Sequence, residues 1–597
     1  MGNFDERQWG NSVSAVIVPR ELTANVWAPV DVRSATITVT QDERVLSRIE
    51  VPREGPAPMR IPLAGAVVSD NAVTITLSAQ MLAFEGYCLD STNPLRLNDI
   101  ALGFDGIEQH PETVANFLPP VLRRLTVFVP ATPSRAESDA AVKLTDAIVA
   151  HYGQQYTDVK LAALPDNSTI PPDPALPLER QIVIRERTDN QLSLQDSTGM
   201  PSLLISGTPA ELGNQARLLS SDLSQLALSS GAAVGPLRST SVLPGDNTTL
   251  RQIGQPQVSS VSLAPRVTIG IDQTRFGRSV RGVRVNLKGS YTPLPTTISG
   301  RLAALVDGRA VDQWNVDQTG VIDRWIAVPD DALTRFTSIT VALDITGNTG
   351  RCGEFQPLTL MIDDISPVDS TRADPPQPMG FQSLPQAMMP NVQIGLGTDA
   401  FADTSRAVKL VMGLQRVSAM PFNTTVVSAD EALAGTEPAI MIAADEWSHP
   451  DVHLPVGGGG DQVDTIEGFD DDSNEATLTL QPGFRFGSLQ TVFDGDRELL
   501  IATSTNAPQL LDGLLDWLNE DIRRWTSLNG IAILAPPERA PVIVAAPNTP
   551  QDAIATPPAK GPGKTWWYVG GAVFAALALA LLVMLLHSRR RRADDGG

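Results

Sequence analysis

Cysteine and histidine are scarce in this sequence. Only two cysteines and five histidines stand among its 597 residues. So few cysteines exclude a scaffold built on disulfides, and packed apolar cores must hold the domains together instead. The length predicts about four domains of typical size.

Basic residues are also in the minority. The chain has 45 Lys and Arg against 67 Asp and Glu, which gives a formal net charge of −22. A surface of that sign repels the phosphate backbone of DNA and RNA. Nucleic acid is therefore not among the expected partners.

Recognisable catalytic and cofactor motifs are missing as well. No Gly-X-Ser-X-Gly turn follows a predicted strand, and no histidine stands in a recognisable general-base position. Gly395 and Gly397 lie between a strand and a helix, but the third glycine and the later acidic residue of a dinucleotide loop are missing. The glycine run at residues 455–461 has no Lys-Ser or Lys-Thr after it, which predicts a plain loop. These absences predict no catalytic and no cofactor-binding residue, although the many carboxylates leave an accidental glycosidase pair open.

One stretch is a candidate for metal binding. Residues 445–453 (DEWSHPDVH) bring carboxylates and imidazoles together. Pro450 keeps His449 and His453 off a shared helix face, and no further cluster completes a ligand shell. The acidic run at residues 470–472 misses the spacing of a calcium loop. The sequence therefore predicts no metal ligands.

Hydrophobic periodicity predicts two kinds of domain that alternate twice along the chain. Residues 32–105 alternate apolar and polar side chains in short runs, typical of an antiparallel β-sandwich. From Arg124 onward, apolar strands alternate with amphipathic helices, the first of which begins at Ser134 with a capping box through Glu137. The same order then recurs. The predicted class is α+β multidomain, a tandem repeat of β-sandwich and α/β domain, with sandwiches at 1–115 and 238–370, α/β domains at 116–237 and 371–541, and a Pro-rich linker at 542–564.

The two cysteines support the duplication. Residues 41–51 and 306–316 are hairpin-like in each sandwich, and each sandwich continues into a loop that holds Cys88 or Cys352. Because the two cysteines occupy equivalent positions, they indicate a duplicated domain pair and not a disulfide between two distant loops. Two unpaired thiols are therefore expected. Pairing of the two stays open.

A single long apolar run lies near the C-terminus. Residues 566–586 carry no charge, and at about 1.5 Å per helical residue they span about 30 Å, which predicts a transmembrane helix at 565–587. An aromatic cluster before the run suits the headgroup region, and an arginine cluster after it marks a basic cytoplasmic tail at 588–597. The predicted anchor residues are Trp566, Trp567, Tyr568, Arg589, Arg590, Arg591 and Arg592.

The arginine cluster sets the predicted topology. With residues 588–597 in the cytoplasm, the bulk of the chain lies on the periplasmic side of a single-pass cell-membrane protein. Met1–Arg20 has early acidic residues and no apolar run, so no export signal is present in this stretch. A start placed downstream of the true one is preferred over a cytosolic, tail-anchored chain, whose arginines would have to cross the membrane.

The tandem order and several short motifs resemble the family of extracytoplasmic accessory subunits of bacterial cellulose synthase. The motifs are Ser290–Pro293 at the second sandwich, Val306–Val311 in a hairpin, the cysteine loops, and Trp525–Gly530 before the last strand. The resemblance implies sandwiches like carbohydrate-binding modules and α/β domains of flavodoxin-like shape without flavin. It also implies a non-catalytic, membrane-anchored member of a cellulose (β-glucan) synthase complex.

The same resemblance implies the partners. These are the catalytic glycosyltransferase, which makes a β-1,4-glucan from UDP-glucose, the nascent glucan, and the membrane. Family members are often described as cyclic di-GMP-binding, a role that fits the cytosolic catalytic partner better than this chain. No cofactor is therefore expected here.

Exposed aromatic rings would be needed to stack on the apolar faces of sugar rings. Trp27, Trp314 and Trp325 stand in the β units. Trp314 lies in an alternating run and Trp325 precedes one, so each is expected in the core. No sugar-binding residue is assigned from the sequence.

The sequence therefore leaves three functions open. The leading one is an accessory subunit that stabilises the glycosyltransferase and guides the extruded polysaccharide. The others are a surface receptor or adhesin that binds carbohydrate without a synthase partner, and a hydrolase acting on the same polymer.

Overall fold

Two pairs of packed β-sheets and two sheets flanked by helices make up the part of the chain that the structure describes. This computed structural model describes residues 15–545, except for 54, 69–72, 86, 88, 90–92, 166–167, 196–198, 220–224, 234–242, 348–356, 458–463, 470–474 and 481–482. These residues belong to one compact unit.

The first sandwich has two three-stranded antiparallel sheets, ordered β4-β1-β6 and β3-β2-β5. Alternate residues such as Ile37, Val39 and Ile61 point into the space between the sheets and are buried there. The strands are β1 (Ala15–Trp27), β2 (Val32–Gln41), β3 (Arg44–Glu50), β4 (Ala57–Pro62), β5 (Thr76–Ala83) and β6 (Arg96–Glu108).

The first α/β domain has a six-stranded sheet ordered β12-β10-β11-β9-β7-β8, in which β11, β9, β7 and β8 are parallel. The predicted capping box is confirmed, because the Ser134 side chain accepts from Glu137 N and the Glu137 side chain from Ser134 N. The elements are β7 (Arg124–Pro130), α1 (Arg135–Tyr152), β8 (Asp158–Leu164), β9 (Glu179–Glu186), β10 (Gln191–Gln195), β11 (Ser202–Gly207), α2 (Pro209–Leu218) and β12 (Gly231–Ala232).

The second sandwich has more strands than the first. One sheet is ordered β13-β22-β16-β21-β14, with β19 also paired to β16, and the other is ordered β15-β20-β17-β18. The strands are β13 (Asn247–Thr249), β14 (Val258–Ser262), β15 (Arg266–Asp272), β16 (Val280–Tyr291), β17 (Ile298–Val306), β18 (Arg309–Asn315), β19 (Val321–Ala327), β20 (Phe336–Gly347), β21 (Leu358–Ile362) and β22 (Pro367–Arg372).

The second α/β domain has a seven-stranded sheet ordered β24-β23-β25-β29-β28-β30-β31, and a separate hairpin of β26 and β27. Its elements are β23 (Asn391–Leu396), α3 (Ala400–Arg416), β24 (Asn423–Ser428), α4 (Ala429–Ala434), β25 (Ala439–Ala443), β26 (Asp464–Phe469), β27 (Glu475–Leu480), β28 (Gly487–Phe493), β29 (Glu498–Ser504), α5 (Pro508–Glu520), α6 (Ile522–Thr526), β30 (Ala532–Ala535) and β31 (Val542–Val544).

Helices α1 and α3 join the two α/β domains into one apolar core. Thr404 Oγ1 in α3 donates to Ser138 Oγ in α1 across 2.8 Å. Asp139 in α1 accepts from the main-chain N–H of Val426 in β24 at 2.9 Å. Each domain therefore supplies part of the surface that buries the other.

Each sandwich is attached to its α/β domain by a buried polar contact. Arg180 of β9 pairs with Glu108, the last residue of β6, at 2.6 Å. Thr274 Oγ1, beyond β15, accepts from the main-chain N–H of Ala419 at 2.9 Å. These contacts fix the orientation of the sandwiches on the shared core.

The predicted fold class and localisation require correction. Among the described residues strands predominate, with 44% in strands and 19% in helices. Among residues 15–545 that are described, no helix is long and apolar enough to cross a bilayer, so the structure gives the expected transmembrane helix and single-pass membrane location no support. The segment 565–587 and the anchor residues Trp566, Trp567, Tyr568, Arg589, Arg590, Arg591 and Arg592 lie outside the described residues. The β-sandwich part of the prediction is consistent with the structure.

Asp146, in the shared helical core, predicts a pH-dependent stability. Burial raises the pKa of this carboxyl to about 8, although the Phe422 N–H and Arg217 act to lower it. In the unfolded chain the group ionises near its usual pKa of about 3.9. Stabilisation by the neutral carboxyl is therefore complete below about pH 4 and is lost as the pH rises towards 8.

We expect Asp146→Asn to remove this part of the pH dependence, because the amide oxygen still accepts from Phe422 N at all pH values. The measurement is the urea midpoint of wild type and variant at intervals from pH 4 to 8. Wild type should lose stability relative to the variant as the pH rises. Parallel curves for the two proteins would contradict the assignment.

Candidate carbohydrate-binding face

The outer face of the second sandwich carries the clearest candidate site. Strand β16 pairs with β19 on one side and with β22 on the other. Val285 and Leu287 point into the core and are fully buried, so the alternation of the strand puts Arg284, Asn286 and Lys288 on the outer face.

Trp325 is the aromatic residue of this face. It lies in β19 directly opposite Asn286 and is 44% exposed. The Arg284 guanidinium carbon lies 5.1 Å from the ring centroid, and Nη2 of the same guanidinium pairs with Asp369 in β22 at 2.8 Å. The ring is therefore held by a cation–π contact while much of its surface stays open to solvent.

Asn286 supplies an unused polar group beside the ring. The residue is only 8% exposed, and its Oδ1 has no hydrogen-bond partner. A buried amide oxygen without a partner costs free energy, about 1–3 kcal/mol, that a ligand hydroxyl can recover. Because Oδ1 itself is buried, a donor placed against Trp325 reaches it only when the Asn286 side chain turns outward.

Charged side chains border the face. Lys288 Nζ lies 3.5 Å from Asp323 in β19, and the Arg284 and Asp369 pair lies on the other side of Asn286 along β16. Both pairs leave part of each side chain exposed. Together the face offers one apolar ring surface and several hydrogen-bonding groups, which is the combination that a pyranose, with its apolar face and equatorial hydroxyls, can use.

The expectation that Trp325 is a core residue is wrong. Ile322, Ile326 and Val328 are the buried residues of that strand and its end. Trp325 lies between them on the opposite face. Trp314 does pack against the core, where Arg324, paired to Asp312 at 2.8 Å, lies 5.6 Å from its ring centroid.

Trp27 is the third sequence candidate. It is 47% exposed at the end of β1 and lies opposite Arg96 in β6. The position in the first sandwich that corresponds to Trp325 is Arg60, which lies opposite Thr23 and pairs with Glu21 at 3.2 Å. The first sandwich therefore has an exposed tryptophan, but not at the equivalent place.

The turn after β23 behaves as a plain strand-to-helix turn. Asp399 caps α3 by accepting from Ala402 N, and Asp403 pairs with Arg406 at 2.8 Å. Burial raises the pKa of Asp403 to about 6. Carboxylates thus occupy the end of the helix that a phosphate group would need.

The stretch 445–453 does not assemble a metal centre. Trp447 Nε1 donates to Val452 O at 3.0 Å, and its ring packs edge-on against His449 at a centroid distance of 5.0 Å. Throughout the described residues, no group of three or more His, Cys, Asp or Glu side chains is placed to share a metal ion. Cys88, Cys352 and residues 470–472 lie outside the described residues.

A second concavity, with a volume of about 930 Å³, lies between β8, α3 and α5–α6. Lys409 pairs with Asp516 at 2.6 Å, and Lys160 lies 3.6 Å from Asp158. Arg416 donates to Thr157 O at 2.8 Å, while its buried Nε has no partner. Tyr156 is the one aromatic residue among those that line it. The outer face of the second sandwich is therefore the better candidate for a sugar.

The comparisons with known proteins identify no family. No protein-family model and no curated protein matches the chain. The VP2 subviral particle of infectious bursal disease virus is similar with a TM-score of 0.15 and 10% identity, over 60% of this chain and 57% of that one. This chain thus spans little more than half of that protein.

Two further similar structures are carbohydrate-active enzymes. A two-domain esterase active on acetylated mannans has a TM-score of 0.12 and 9% identity, over 42% of this chain and 92% of that one. A Paenibacillus cycloisomaltooligosaccharide glucanotransferase, complexed with cycloisomaltoheptaose, has a TM-score of 0.11 and 7% identity, over 82% of this chain and 95% of that one. Similarities this low carry no argument about fold or activity.

Proposed function

We propose that this chain is a non-catalytic accessory subunit of a bacterial β-glucan synthase, which binds and guides the extruded polysaccharide. The observation that carries the proposal is the exposed Trp325, held by Arg284 beside the unpartnered Asn286 on an open sheet face. An aromatic ring with hydrogen-bonding groups around it suits a glucan, whose sugar rings have apolar faces and equatorial hydroxyls.

The repeated order of sandwich and α/β domain supports the same proposal through its resemblance to the accessory subunits of cellulose synthase. The partners proposed on that ground are the catalytic glycosyltransferase and the nascent β-glucan. Cyclic di-GMP is not proposed as a ligand of this chain. Co-purification with a processive glycosyltransferase is the result expected for a synthase subunit, whereas a stand-alone receptor would bind glucan without one.

A non-catalytic role is also part of the proposal. The purified chain should release no soluble sugars from β-glucan, whereas a hydrolase would release them.

Trp325→Ala should weaken the binding of cello-oligosaccharides about tenfold or more. Covering an aromatic side chain contributes about 1.5–3 kcal/mol, and about 1.4 kcal/mol corresponds to a factor of ten. The measurement is titration calorimetry of cellohexaose into the full chain. Trp27→Ala is the matched control, because Trp27 is exposed to a similar extent in the other sandwich. A loss with Trp27→Ala and none with Trp325→Ala would move the site to the first sandwich.

A further inference from the structure

The first sandwich has an uncovered sheet edge. In the second sandwich, two further strands pair with the corresponding edge. In the second, β13 pairs with β22 and β14 pairs with β21, while β22 and β21 both pair with β16. In the first, the single long strand β6 pairs with β1, the counterpart of β16. No described strand pairs with the other side of β6, so the sheet β4-β1-β6 ends there.

The exposure of two corresponding residues also differs between the sandwiches, whose facing sheets have three strands in the first and four in the second. Leu102 of β6 lies opposite the buried Leu22, and Val368 of β22 lies opposite the buried Val285. Residues directly opposite each other point to the same face, so Leu102 and Val368 both face a core. Val368 is 0% exposed, whereas Leu102 is 45% exposed.

Other apolar side chains of β6 are also uncovered. They extend on both sides of Leu102 along the strand and are Ile100, Phe104 and Ile107. A long edge strand with exposed apolar residues is a template for pairing with another polypeptide.

The charges on β6 indicate the kind of strand that fits. Asp99 and Asp105 lie on either side of Leu102. Asp99 accepts from Asn25 at 2.9 Å, and Asp105 lies 3.5 Å from Arg20 in a pair whose side chains both stay more than half exposed, so each carboxylate can still accept from a further donor. If two copies of β6 paired antiparallel about Leu102, Asp99 of one copy would face Asp105 of the other, and like charges directly opposite are destabilising. A strand that places basic residues there and apolar residues over Leu102 and Phe104 complements the edge.

We propose that β6 accepts an extended segment of a partner protein in which apolar and basic residues alternate. The segment adds to the sheet β4-β1-β6 as an antiparallel strand, the orientation that β13 and β14 adopt in the second sandwich. Main-chain hydrogen bonds supply affinity, and apolar side chains cover Leu102 and Phe104. Basic side chains face Asp99 and Asp105.

The test is hydrogen exchange of the full chain with a peptide of four Val-Lys repeats as the probe. Amides of β6 should exchange about tenfold more slowly at saturating peptide. The same peptide with N-methylated alternate amides should give no slowing, because it keeps the side chains but cannot pair with the edge. A peptide with Glu in place of Lys should bind more weakly.

Two variants of the protein test whether the slower exchange comes from peptide bound at the edge of β6. Leu102→Asp should abolish the slowing, whereas Leu82→Asp, at an exposed apolar residue of β5, should leave it unchanged. No slowing in β6 with wild type, or equal slowing with the N-methylated peptide, would overturn the proposal. Protection of β6 in a concentration-dependent dimer without peptide, or by cello-oligosaccharide alone, would also overturn it and assign the edge to a second copy or to sugar.

Discussion

Arg180→Met should lower the free energy of unfolding by about 3–5 kcal/mol, because it leaves the Glu108 carboxylate buried without its partner. The side chains of Arg180 and Glu108 are 1% and 3% exposed and lie 2.6 Å apart. Arg180 also donates to the main-chain oxygens of Phe117 and Glu179. Its loss therefore removes one charge pair and two hydrogen bonds from a site that water does not reach.

A second, exposed ion pair serves as the control that separates the effect of burial from the effect of losing a charge. Arg309→Met removes a pair of similar chemistry, Arg309 and Asp331, in which both side chains are about two-thirds exposed, and should cost about 1 kcal/mol or less. The double variant Arg180→Met with Glu108→Gln should recover part of the loss, since no unpaired charge remains. Urea denaturation followed by circular dichroism measures all three. Equal losses for Arg180→Met and Arg309→Met would contradict the buried pair.

Gly413→Ala should destabilise the protein by about 1–3 kcal/mol, although alanine is the better helix former. A Cβ atom at Gly413 in α3 would lie 2.2 Å from Cε2 of Trp525, a residue that is 2% exposed. Trp525 Nε1 donates to Asn519, and its main-chain oxygen accepts from Arg335 of the second sandwich. The ring is fixed on several sides and cannot move away freely.

Gly513→Ala is the matched control for this prediction. Gly513 lies inside α5, and no atom lies within 4 Å of the position that its Cβ would take. The substitution should stabilise the protein by about 0.5–1 kcal/mol through helix propensity alone. Thermal unfolding of both variants is the measurement, and a stabilising effect at both glycines would contradict the packing of Trp525.

Periodicity in the sequence predicts the local elements better than their surroundings. The capping box at Ser134 depends on neighbours three residues apart, so the sequence contains all of its parts. The contact between Gly413 and Trp525 joins residues on different elements, and no local pattern reveals it. The extra strands β10 and β12, which add antiparallel pairs at the edge of the sheet, also escape prediction, because their apolar residues are few and their runs are short.

Sequence reasoning misses the candidate site for a specific reason. Trp325 is expected in the core as a large aromatic residue, but the period of two set by Ile326 and Val328 places it on the outer face. The same rule applied to β16 places Arg284, Asn286 and Lys288 together. What the sequence cannot supply is the register that sets Asn286 opposite Trp325, since strands distant along the chain are aligned by the packing of both faces.

The most direct measurement is a crystal structure of the full chain with bound cellohexaose. We expect a glucose ring against Trp325, with a hydroxyl donating to Asn286 Oδ1 and others reaching Arg284 or Asp369. A sugar bound at another surface, with the outer face of the second sandwich empty, would contradict it.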